Sequence, residues 1–380
     1  MPNKSMIYIH VPFCASRCIY CDFYSTTHSD AYKELYTQAA CAELAHRRTY
    51  LPYSAIQSIY LGGGTPSQLS VPQLQRLMRT IHQYYNVDTN AEITLEANPD
   101  DITASFIQQV RAMGFNRVSL GVQSFNDTTL HTINRRHTAH EAEAAVHLIS
   151  QNGIDNISID LIYGLPHQTL QQFKHDLDVA FSLPIKHLSS YALSIEGGTM
   201  LERKIQSGEL QMAADDLYVA TYNELMNQAA LHGFDHYEIS NFALPGYASR
   251  HNSGYWMNIP YLGIGPGAHS FDGISRQFNL PHLEDYTKSN GVPAYEQEKL
   301  TLSDKFDELM FTSLRTSKGL DLCKVKQLFP HEWYKQLMCD AAPHLSAHRL
   351  EMVNDNVLKL TREGIMTSND VISDLMRAEE

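Results

Sequence analysis

The sequence has few of the features that mark membrane, secreted or nucleic-acid-binding proteins. No apolar run approaches the ~20 residues that span a bilayer, and the N-terminus has no apolar segment long enough for a signal sequence. Basic residues are in the minority, with 29 Lys and Arg against 42 Asp and Glu and a net charge of −13. Non-specific affinity for nucleic acid comes mainly from basic side chains. We therefore expect a cytoplasmic protein with no nucleic-acid partner.

Cysteine is also scarce, with six residues in a chain of 380. A long cytosolic chain of this kind does not predict a disulfide framework, because that compartment keeps thiols reduced. Three of the six nevertheless fall within eight residues, CASRCIYC, as Cys14, Cys18 and Cys21. Clustered cysteines in such a protein predict a metal site. The other three lie in predicted helices at spacings that suit burial, and we interpret them as small core residues: Cys41, Cys323 and Cys339.

Hydrophobic periodicity predicts alternating strands and helices as far as about residue 265. Strands are predicted near Met6–Val11, Ile56–Leu61, Glu92–Ala97, Arg117–Val122, Asn156–Ile162 and His187–Leu193. Helices are predicted near Ser29–Arg48, Pro72–Tyr84, Thr103–Met113, Thr138–Asn152, Leu170–Leu183 and Asp215–Gly233. This alternation is typical of β-α units around a parallel sheet. It leaves open whether the sheet is doubly wound or forms a closed or partial barrel.

The last part of the chain has a different pattern. After Pro281–Pro293 the alternation ends, and residues 301–380 predict helices, then two short strands around a turn at Asn354–Asn356, then a final helix. Helices followed by a hairpin resemble a winged helix. This segment carries ten Lys and Arg against thirteen Asp and Glu, so a packing or partner-binding role is favoured over DNA binding. We predict two domains, residues 1–280 and 281–380.

Chemically unusual residues follow, or lie at, the predicted C-terminal ends of successive strands. In chain order these are the cysteine loop, GGGTPS at residues 62–67, Glu96, Gln123, Asp160 and Ala192. Parallel β-α proteins build their sites at this edge of the sheet. The pattern therefore predicts one shared cleft.

Two kinds of metal centre are compatible with the three cysteines. A structural zinc ion would need a fourth protein ligand, for which His10 and His28 are candidates. An iron–sulfur cluster held by three thiolates would instead leave one iron open for chemistry. The absence of a second CxxC motif and the aromatic neighbours of the loop favour the cluster.

The motif CxxxCxxC directly after a first strand resembles the hallmark of the radical S-adenosylmethionine (SAM) superfamily. The segments YIHVPFC, GGGTPS, LGVQSFN, INRRH and IDLIYGLPHQT resemble, more narrowly, the oxygen-independent coproporphyrinogen III oxidase family and its HemW branch of heme chaperones. The resemblance covers nearly the whole chain. It implies an α/β fold, a radical-SAM partial (β/α) barrel followed by a smaller C-terminal helical, winged-helix-like domain.

The same resemblance implies cofactors and their residues. A 4Fe-4S cluster would be held by Cys14, Cys18 and Cys21, and its open iron would chelate the amino and carboxylate groups of SAM. SAM would be contacted by matching family positions: Tyr8, Gly63, Gly64, Thr65, Glu96, Gln123, Arg135, Asp160 and Ala192. Glycine suits such contacts because it lets the backbone approach a ligand closely. The loop GIGPGAHS at residues 263–270 would close the pocket.

Two departures from the family pattern separate an enzyme from a chaperone. The oxidase loop reads CxxxCxxCxC and is preceded by an N-terminal extension, whereas this chain has Phe23 at the last cysteine position and starts close to Tyr8. The segment RHNSGYWMNIPYLGIG contains the HNxxYW pattern of the HemW branch, which implies heme contacts from His251, Asn252, Tyr255 and Trp256. Imidazole is a standard axial heme ligand, and aromatic rings pack against porphyrin faces.

We therefore expect a heme chaperone that binds heme and SAM and transfers heme from donor proteins to target hemoproteins, including membrane-associated respiratory ones. A homodimer is compatible with the sequence. The alternative is an enzyme, the oxygen-independent coproporphyrinogen III oxidase. A radical-SAM oxidoreductase acting on another substrate is a third interpretation.

Overall fold

The computed structural model of the chain describes residues 4–27 and 30–377. Its strands are β1 Lys4–Val11, β2 Ala55–Gly63, β3 Asn86–Ala97, β4 Arg117–Gln123, β5 Asn156–Tyr163, β6 His187–Ala192, β7 Asp235–Glu238, β8 Asn241–Ala243, β9 Tyr261–Ile264, β10 His269–Phe271, β11 Ser275–Asn279, β12 Tyr295–Lys299, β13 Leu320–Asp321, β14 Leu350–Val353 and β15 Val357–Leu360.

Its helices are α1 Asp30–His46, α2 Val71–Tyr84, α3 Ala104–Ala112, α4 Asp127–Thr132, α5 Ala139–Gln151, α6 Leu170–Ser182, α7 Met200–Gln206, α8 Asp215–Leu231, α9 Arg250–Trp256, α10 Leu283–Lys288, α11 Leu302–Leu314, α12 Leu322–Leu328, α13 His331–Ser346, α14 Arg362–Met366 and α15 Ser368–Leu375. Short 3-10 turns lie at Pro66–Gln68 and Pro99–Asp101. The six strands and six helices predicted before residue 235 are present within a few residues of their predicted bounds, and Ser29 of the first predicted helix lies outside the described residues.

The main sheet has the strand order β12-β11-β10-β9-β1-β2-β3-β4-β5-β6-β8-β7. Strands β9 and β1–β6 run parallel to one another, while β10–β12 and β7–β8 add antiparallel edges. Because β1–β6 follow one another without the reversal of order found in doubly wound sheets, the arrangement is that of a barrel. The expected partial (β/α) barrel is confirmed.

Local sequence explains where the elements begin and end. Strand β1 is buried at nearly every position, as expected for a central parallel strand covered on both faces. Thr138 and Glu141 form a capping box at the start of α5, where each side chain accepts a hydrogen bond from the other residue's backbone N–H. Gly153, just after that helix, has a φ of 85°, which glycine adopts without the steric cost of a side chain. These signals place the strand ends, and hence the site, at fixed positions.

A second body follows the barrel. Strands β13, β15 and β14 form a three-stranded sheet that packs with α11–α13 and α15 around a separate core, which begins at Phe306. This agrees with the expected helical, winged-helix-like C-terminal domain. The division at residue 280 stays a prediction; the pairing of β12 with β11 favours a boundary after Lys299.

The cysteines outside the loop differ from the core residues that helical spacing predicted. Cys323 and Cys339 are exposed and Cys41 is only partly buried, so that prediction is wrong for the first two. Helical periodicity predicts which residues share one face of a helix, but tertiary packing decides which face is buried. In α12 and α13, Cys323 and Cys339 lie on the solvent-exposed face. Among the described residues, we find no helix with the length and apolar character needed to cross a bilayer.

Candidate functional site

A cavity of about 420 Å³ lies at the C-terminal ends of β1–β6, and we call it the strand-end cavity. Nearly all the residues predicted from the strand-end pattern and the SAM resemblance line it: Cys14, Cys18, Cys21, Gly63, Gly64, Thr65, Glu96, Gln123, Arg135, Asp160 and Ala192. The sheet therefore brings together, in one cleft, side chains that are up to 178 positions apart in sequence (192 − 14).

The cysteine loop is tied to the barrel at several points. The Cys14 N–H donates to the Thr26 carbonyl at 2.9 Å, and the Ile19 carbonyl accepts from the Leu201 N–H at 2.8 Å. The Ile19 side chain is buried in a small apolar cluster that also contains Ile133 and Leu201. Backbone bonds and an apolar anchor thus hold the loop against the strand ends.

The three thiols face the strand-end cavity without converging on one point. Thr65 Oγ1 lies 3.6 Å from Cys14 Sγ, and Arg135 Nη1 lies 3.4 Å from Cys18 Sγ. In the part of the chain that the structure describes, no three His, Cys, Asp or Glu side chains are arranged to hold a single metal ion. Three thiolates in one cavity can each bind a different iron of a 4Fe-4S cluster, which is the centre that the family resemblance implies.

Neither candidate for a fourth zinc ligand, His10 or His28, adds support for a zinc site. Both ring nitrogens of His10 already have partners, the Tyr8 hydroxyl at 3.0 Å and the Tyr24 carbonyl at 2.8 Å. His28 lies outside the described residues. Burial raises the pKa of the Cys14 thiol and raises the pKa of Cys21 to about 11. Because thiolates are the metal-binding form, loading a cluster here must release protons.

The glycine-rich loop packs directly against the cysteine loop. The Gly64 N–H donates to the Val11 carbonyl at 2.8 Å, and a Cβ added to Gly64 would lie 2.8 Å from the carbonyl oxygens of Val11 and Phe13. Gly63 has a φ of 105°, and a Cβ there would lie 2.4 Å from His10 Nδ1. The glycines are therefore required for contact between two loops of the site, and a larger side chain would also displace the cysteine loop.

Buried polar groups also line the strand-end cavity. Glu96 accepts hydrogen bonds from the Tyr60 hydroxyl at 2.6 Å and the Gly63 N–H at 3.2 Å, and burial raises its pKa to about 7. Burial also raises the pKa of Asp160. These carboxyl groups can accept hydrogen bonds from the hydroxyls or the ammonium group of a ligand.

The positively charged side chain of Arg135 also lines the strand-end cavity. Its Nη2 donates to Asn98 Oδ1 at 2.7 Å and to the Gly121 carbonyl, while its Nε is buried without a partner among residues 4–27 and 30–377. An unsatisfied guanidinium nitrogen beside the thiols suits a carboxylate ligand. The residues therefore fit SAM, whose amino acid end carries one carboxylate and one ammonium group.

Gln123 ends β4 at the cavity with a φ of 70°, in the left-handed region that glycine prefers. Strained backbone of this kind is concentrated at functional sites, where the surroundings hold it in place. The sequence alone did not reveal this strain. It gives the Gln123 amide a fixed direction relative to the strand-end cavity.

Replacing Gln123 by glycine removes the side-chain amide and also relieves the backbone strain at this position, so the effect on SAM binding can be measured without a large loss of stability. We expect the free energy of unfolding of Gln123→Gly to stay within about 1 kcal/mol of wild type, because relief of strain offsets the added freedom of the unfolded chain. SAM affinity, measured by calorimetric titration of cluster-loaded protein, should fall about tenfold with the loss of one hydrogen-bonding group. Asn290→Gly, at an exposed position with a φ of 51°, should leave SAM affinity unchanged. Unaltered SAM affinity in Gln123→Gly would contradict this prediction.

Several predicted residues lie elsewhere. Tyr8 is not brought to the strand-end cavity; its hydroxyl contacts His10 and its ring faces a second cavity. His251 is 1% exposed, its Nδ1 lies 2.9 Å from Ser58 Oγ, and its Nε2 lies 2.9 Å from the Tyr255 hydroxyl. Burial lowers the pKa of His251 to about 3, so its ring is neutral. Asn252 lines neither cavity, and the roles predicted for these residues stay predictions.

The second cavity, of about 550 Å³, lies between the barrel and α11, and we call it the aromatic cavity. Its lining includes Tyr8, His10, Asp22, Phe23, Tyr24, Tyr255, Trp256, Tyr261, His269, Phe271, Arg276, Glu308 and Phe311. Of these residues, the sequence had drawn attention to Tyr8, His10, Phe23, Tyr255 and Trp256, though not as one cavity. The segment GIGPGAHS, which contains His269, was expected to close a pocket. Asp22 and Phe23 line both cavities, so the two share a wall.

Comparisons with known proteins agree with this geometry. The family model of the radical SAM superfamily matches residues 8–180. Curated proteins named heme chaperone HemW are 33% identical to the chain in both Lactococcus lactis and Bacillus subtilis. The first match covers 97% of this chain and 96% of the relative, and the second covers 96% and 97%.

A solved structure, the coproporphyrinogen III oxidase HemN from Escherichia coli, described as a radical SAM enzyme, has the same fold. It is 23% identical, with a TM-score of 0.86 over 98% of this chain and 90% of that one. This likeness extends the fold assignment through the C-terminal domain. Because relatives of one kind match almost end to end, the chain belongs to the HemW family of the radical SAM superfamily.

Proposed function

We propose that the chain binds heme and transfers it to target hemoproteins, on a scaffold that holds a 4Fe-4S cluster and SAM. The observation that carries the proposal is the aromatic cavity beside the strand-end cavity, with Phe23 in the wall between them. Phe23 occupies the position at which the oxidase pattern has a further cysteine. The names of the relatives that match almost the whole chain support the heme part of the proposal.

The cluster and SAM would occupy the strand-end cavity. Cys14, Cys18 and Cys21 would ligate three irons, and Arg135 would bind the carboxylate of SAM through its unpartnered Nε. A cluster with an open iron supplies an electron to bound SAM in this superfamily. The contribution of this chain's own residues would be to hold the cluster through the thiols and to orient the ligand through hydrogen-bonding groups such as Glu96.

The aromatic cavity would take the heme. Exposed ring surface is costly in water, and Phe23 leaves 62% of its surface exposed here. A porphyrin face would cover this ring together with Trp256 and Phe311. Since one side of the cavity is open, heme can leave to an acceptor without opening the barrel core. We further propose that the acceptors include membrane-associated respiratory hemoproteins and that the protein acts in the cytoplasm.

One sample of anaerobically reconstituted protein tests this function against its enzymatic alternative. Added hemin should give a shifted Soret band, and a histidine-ligated apo-hemoprotein mixed with the loaded protein should acquire the heme. With SAM and an electron donor, coproporphyrinogen III should not be decarboxylated at the ~1 per second that is ordinary for enzymes. Turnover at that rate would establish the oxidase instead.

Variants at Phe23 sharpen the test. Phe23→Ala should weaken heme binding because ring contact is lost, whereas Phe23→Tyr should retain it. Phe23→Cys should not create decarboxylase activity. Both cavities share this residue, so the iron content of each variant must be measured to show that the cluster survives. Absence of heme binding by the wild type, with its cluster intact, would overturn the proposed function.

A further inference from the structure

The aromatic cavity contains one imidazole that is free to bind a metal. Of the described residues that line it, two are histidines, His10 and His269. The ring nitrogens of His10 contact Tyr8 and the Tyr24 carbonyl. His269 is exposed, and no hydrogen bond reaches its ring nitrogens from anywhere in the described part of the chain. A porphyrin iron needs an imidazole nitrogen with a free lone pair, which His269 can offer and His10 cannot.

His269 is also held in a defined orientation. It starts β10, and its ring meets the Phe278 ring edge-on at a centroid distance of 4.6 Å and an interplanar angle of 80°. The residues before it form a tight turn in which Gly265 and Gly267 have φ angles of 110° and 76°. A side chain fixed by ring packing and a tight turn loses little entropy when it binds a ligand.

His251 of the HNxxYW pattern is placed differently. Its ring is buried, and both nitrogens are engaged by Ser58 and Tyr255. To ligate iron, His251 would have to break the contact with the Tyr255 hydroxyl and move toward the cavity. Tyr255 and Trp256, in contrast, line the cavity as they stand. The HNxxYW pattern therefore contributes the rings of Tyr255 and Trp256 to the cavity lining, and His251 holds the Tyr255 hydroxyl in place by a hydrogen bond.

The cavity also holds a cation suited to the carboxylates of heme. Arg276 lies in its lining, paired with Glu308 at 2.7 Å and bonded to the Tyr261 hydroxyl at 3.2 Å, and it lies over the Phe271 ring. A heme propionate can compete with Glu308 for this guanidinium, because both are carboxylates. The volume of about 550 Å³ falls within the ~300–1,000 Å³ of pockets that hold ligands.

We propose that heme binds in the aromatic cavity with a ring nitrogen of His269 as its axial ligand. This inference rests on the proposed function, since it requires that the chain bind heme. It names the ligand and the cavity, and it differs from the sequence-based expectation, which assigned the ligand to His251. The iron gains one nitrogen ligand from His269, and no covalent bond is made or broken in the protein.

Comparing the affinities for hemin and for iron-free protoporphyrin IX distinguishes ligation of the iron by His269 from packing of the porphyrin ring in the cavity. His269→Ala should lower hemin affinity about tenfold or more and change the Soret band and the electron paramagnetic resonance spectrum, because the axial nitrogen is lost. Its affinity for protoporphyrin IX should equal that of wild type. Added imidazole should restore the histidine-type spectrum in His269→Ala, a rescue that a purely structural role would not give. His147→Ala, at an exposed position on α5, is the matched control and should behave as wild type.

The comparison with His251→Ala decides between the two histidines. This variant should lower thermal stability, because Ser58 and Tyr255 lose their partner, while the hemin spectrum keeps its histidine signature. The reverse pattern, a lost signature in His251→Ala and an unchanged one in His269→Ala, would overturn the proposal. Should His269→Ala fold poorly, His269→Tyr provides the second variant, since ligation at this position predicts a tyrosinate spectrum. A wild type that fails to bind hemin would instead overturn the proposed function itself.

Discussion

Single replacements Cys14→Ser, Cys18→Ser and Cys21→Ser are each expected to reduce the iron content of reconstituted protein from about four atoms per chain to near zero. The three thiols line one cavity at the end of the barrel, and no other cysteine lies in its lining. With one thiolate removed, only two cysteine anchors remain for the cluster. The expected effect is therefore complete loss and not a graded decrease.

The remaining cysteines provide the controls. Cys323→Ser and Cys339→Ser lie at exposed positions and should retain full iron content and wild-type stability. Cys41→Ser, at a partly buried position, should retain the iron with a small loss of stability. Iron and acid-labile sulfide are assayed together after anaerobic reconstitution. Zinc in place of iron in anaerobically purified wild type, or a brown Cys18→Ser protein, would contradict the cluster.

The strand-end cavity could be predicted from the sequence because its chemistry follows from topology. Parallel strands in consecutive β-α units place their C-terminal ends at one edge, so Glu96, Gln123 and Asp160 had to lie near the cysteine loop once the strands were identified. The backbone strain at Gln123 and the unpartnered Nε of Arg135 could not be predicted. Both arise from tertiary contacts that leave no local pattern.

The aromatic cavity could not be predicted from the sequence, because it too depends on tertiary contacts. It forms where β9 pairs in parallel with β1, placing Tyr261 beside Met6, and where α11 packs against α9. These contacts join segments far apart in the chain, and the short strands β7–β12 have too few residues for a clear period. The HNxxYW pattern pointed to the right region. Whether its histidine faced the cavity or the core depended on Ser58, on a strand near the other end of the chain.

A buried ion pair at the C-terminal end of α1 packs against the loop that carries His269. Glu43 and Arg47 have side chains that are 0% and 7% exposed and lie 3.1 Å apart. Glu43 also accepts from the Gly265 N–H at 3.0 Å and the Tyr286 hydroxyl at 2.7 Å. Arg47 donates to the Gly263 carbonyl at 3.0 Å. The pair therefore links the end of α1 to the segment Gly263–Gly265, which leads into the turn before β10.

Replacement of Arg47 by methionine is expected to lower the free energy of unfolding by about 3–5 kcal/mol, because it leaves the Glu43 carboxylate buried without its cation. The double variant Glu43→Gln/Arg47→Met should recover much of this loss, since no uncompensated charge remains. Arg76→Met is the matched control: Arg76 on α2 pairs with Glu34 on α1 at 2.7 Å, but both side chains are about 40% exposed. Its loss should cost less than about 1 kcal/mol. All are measured by denaturant unfolding.

The pH dependence of Arg47→Met gives the sharpest check on the cause. In the wild type, burial already raises the pKa of Glu43, while Arg47, Asn279, the Gly265 N–H and Tyr286 act against that rise. Loss of Arg47 raises the folded-state pKa of Glu43 further above the ~4.3 of an unfolded glutamate.

This pKa difference makes the stability of Arg47→Met depend on pH. Below the unfolded-state pKa the Glu43 carboxyl is neutral in both the folded and the unfolded state, and the penalty for burying its charge vanishes. As pH rises, ionisation favours the unfolded chain by up to about 1.4 kcal/mol per pH unit. The deficit of Arg47→Met relative to wild type should therefore be smallest near pH 5 and largest near pH 8. The double variant lacks the Glu43 carboxyl, so its deficit should not grow with pH. A deficit that is the same at both pH values would show that lost packing of the arginine stem, and not the stranded charge, destabilises the protein.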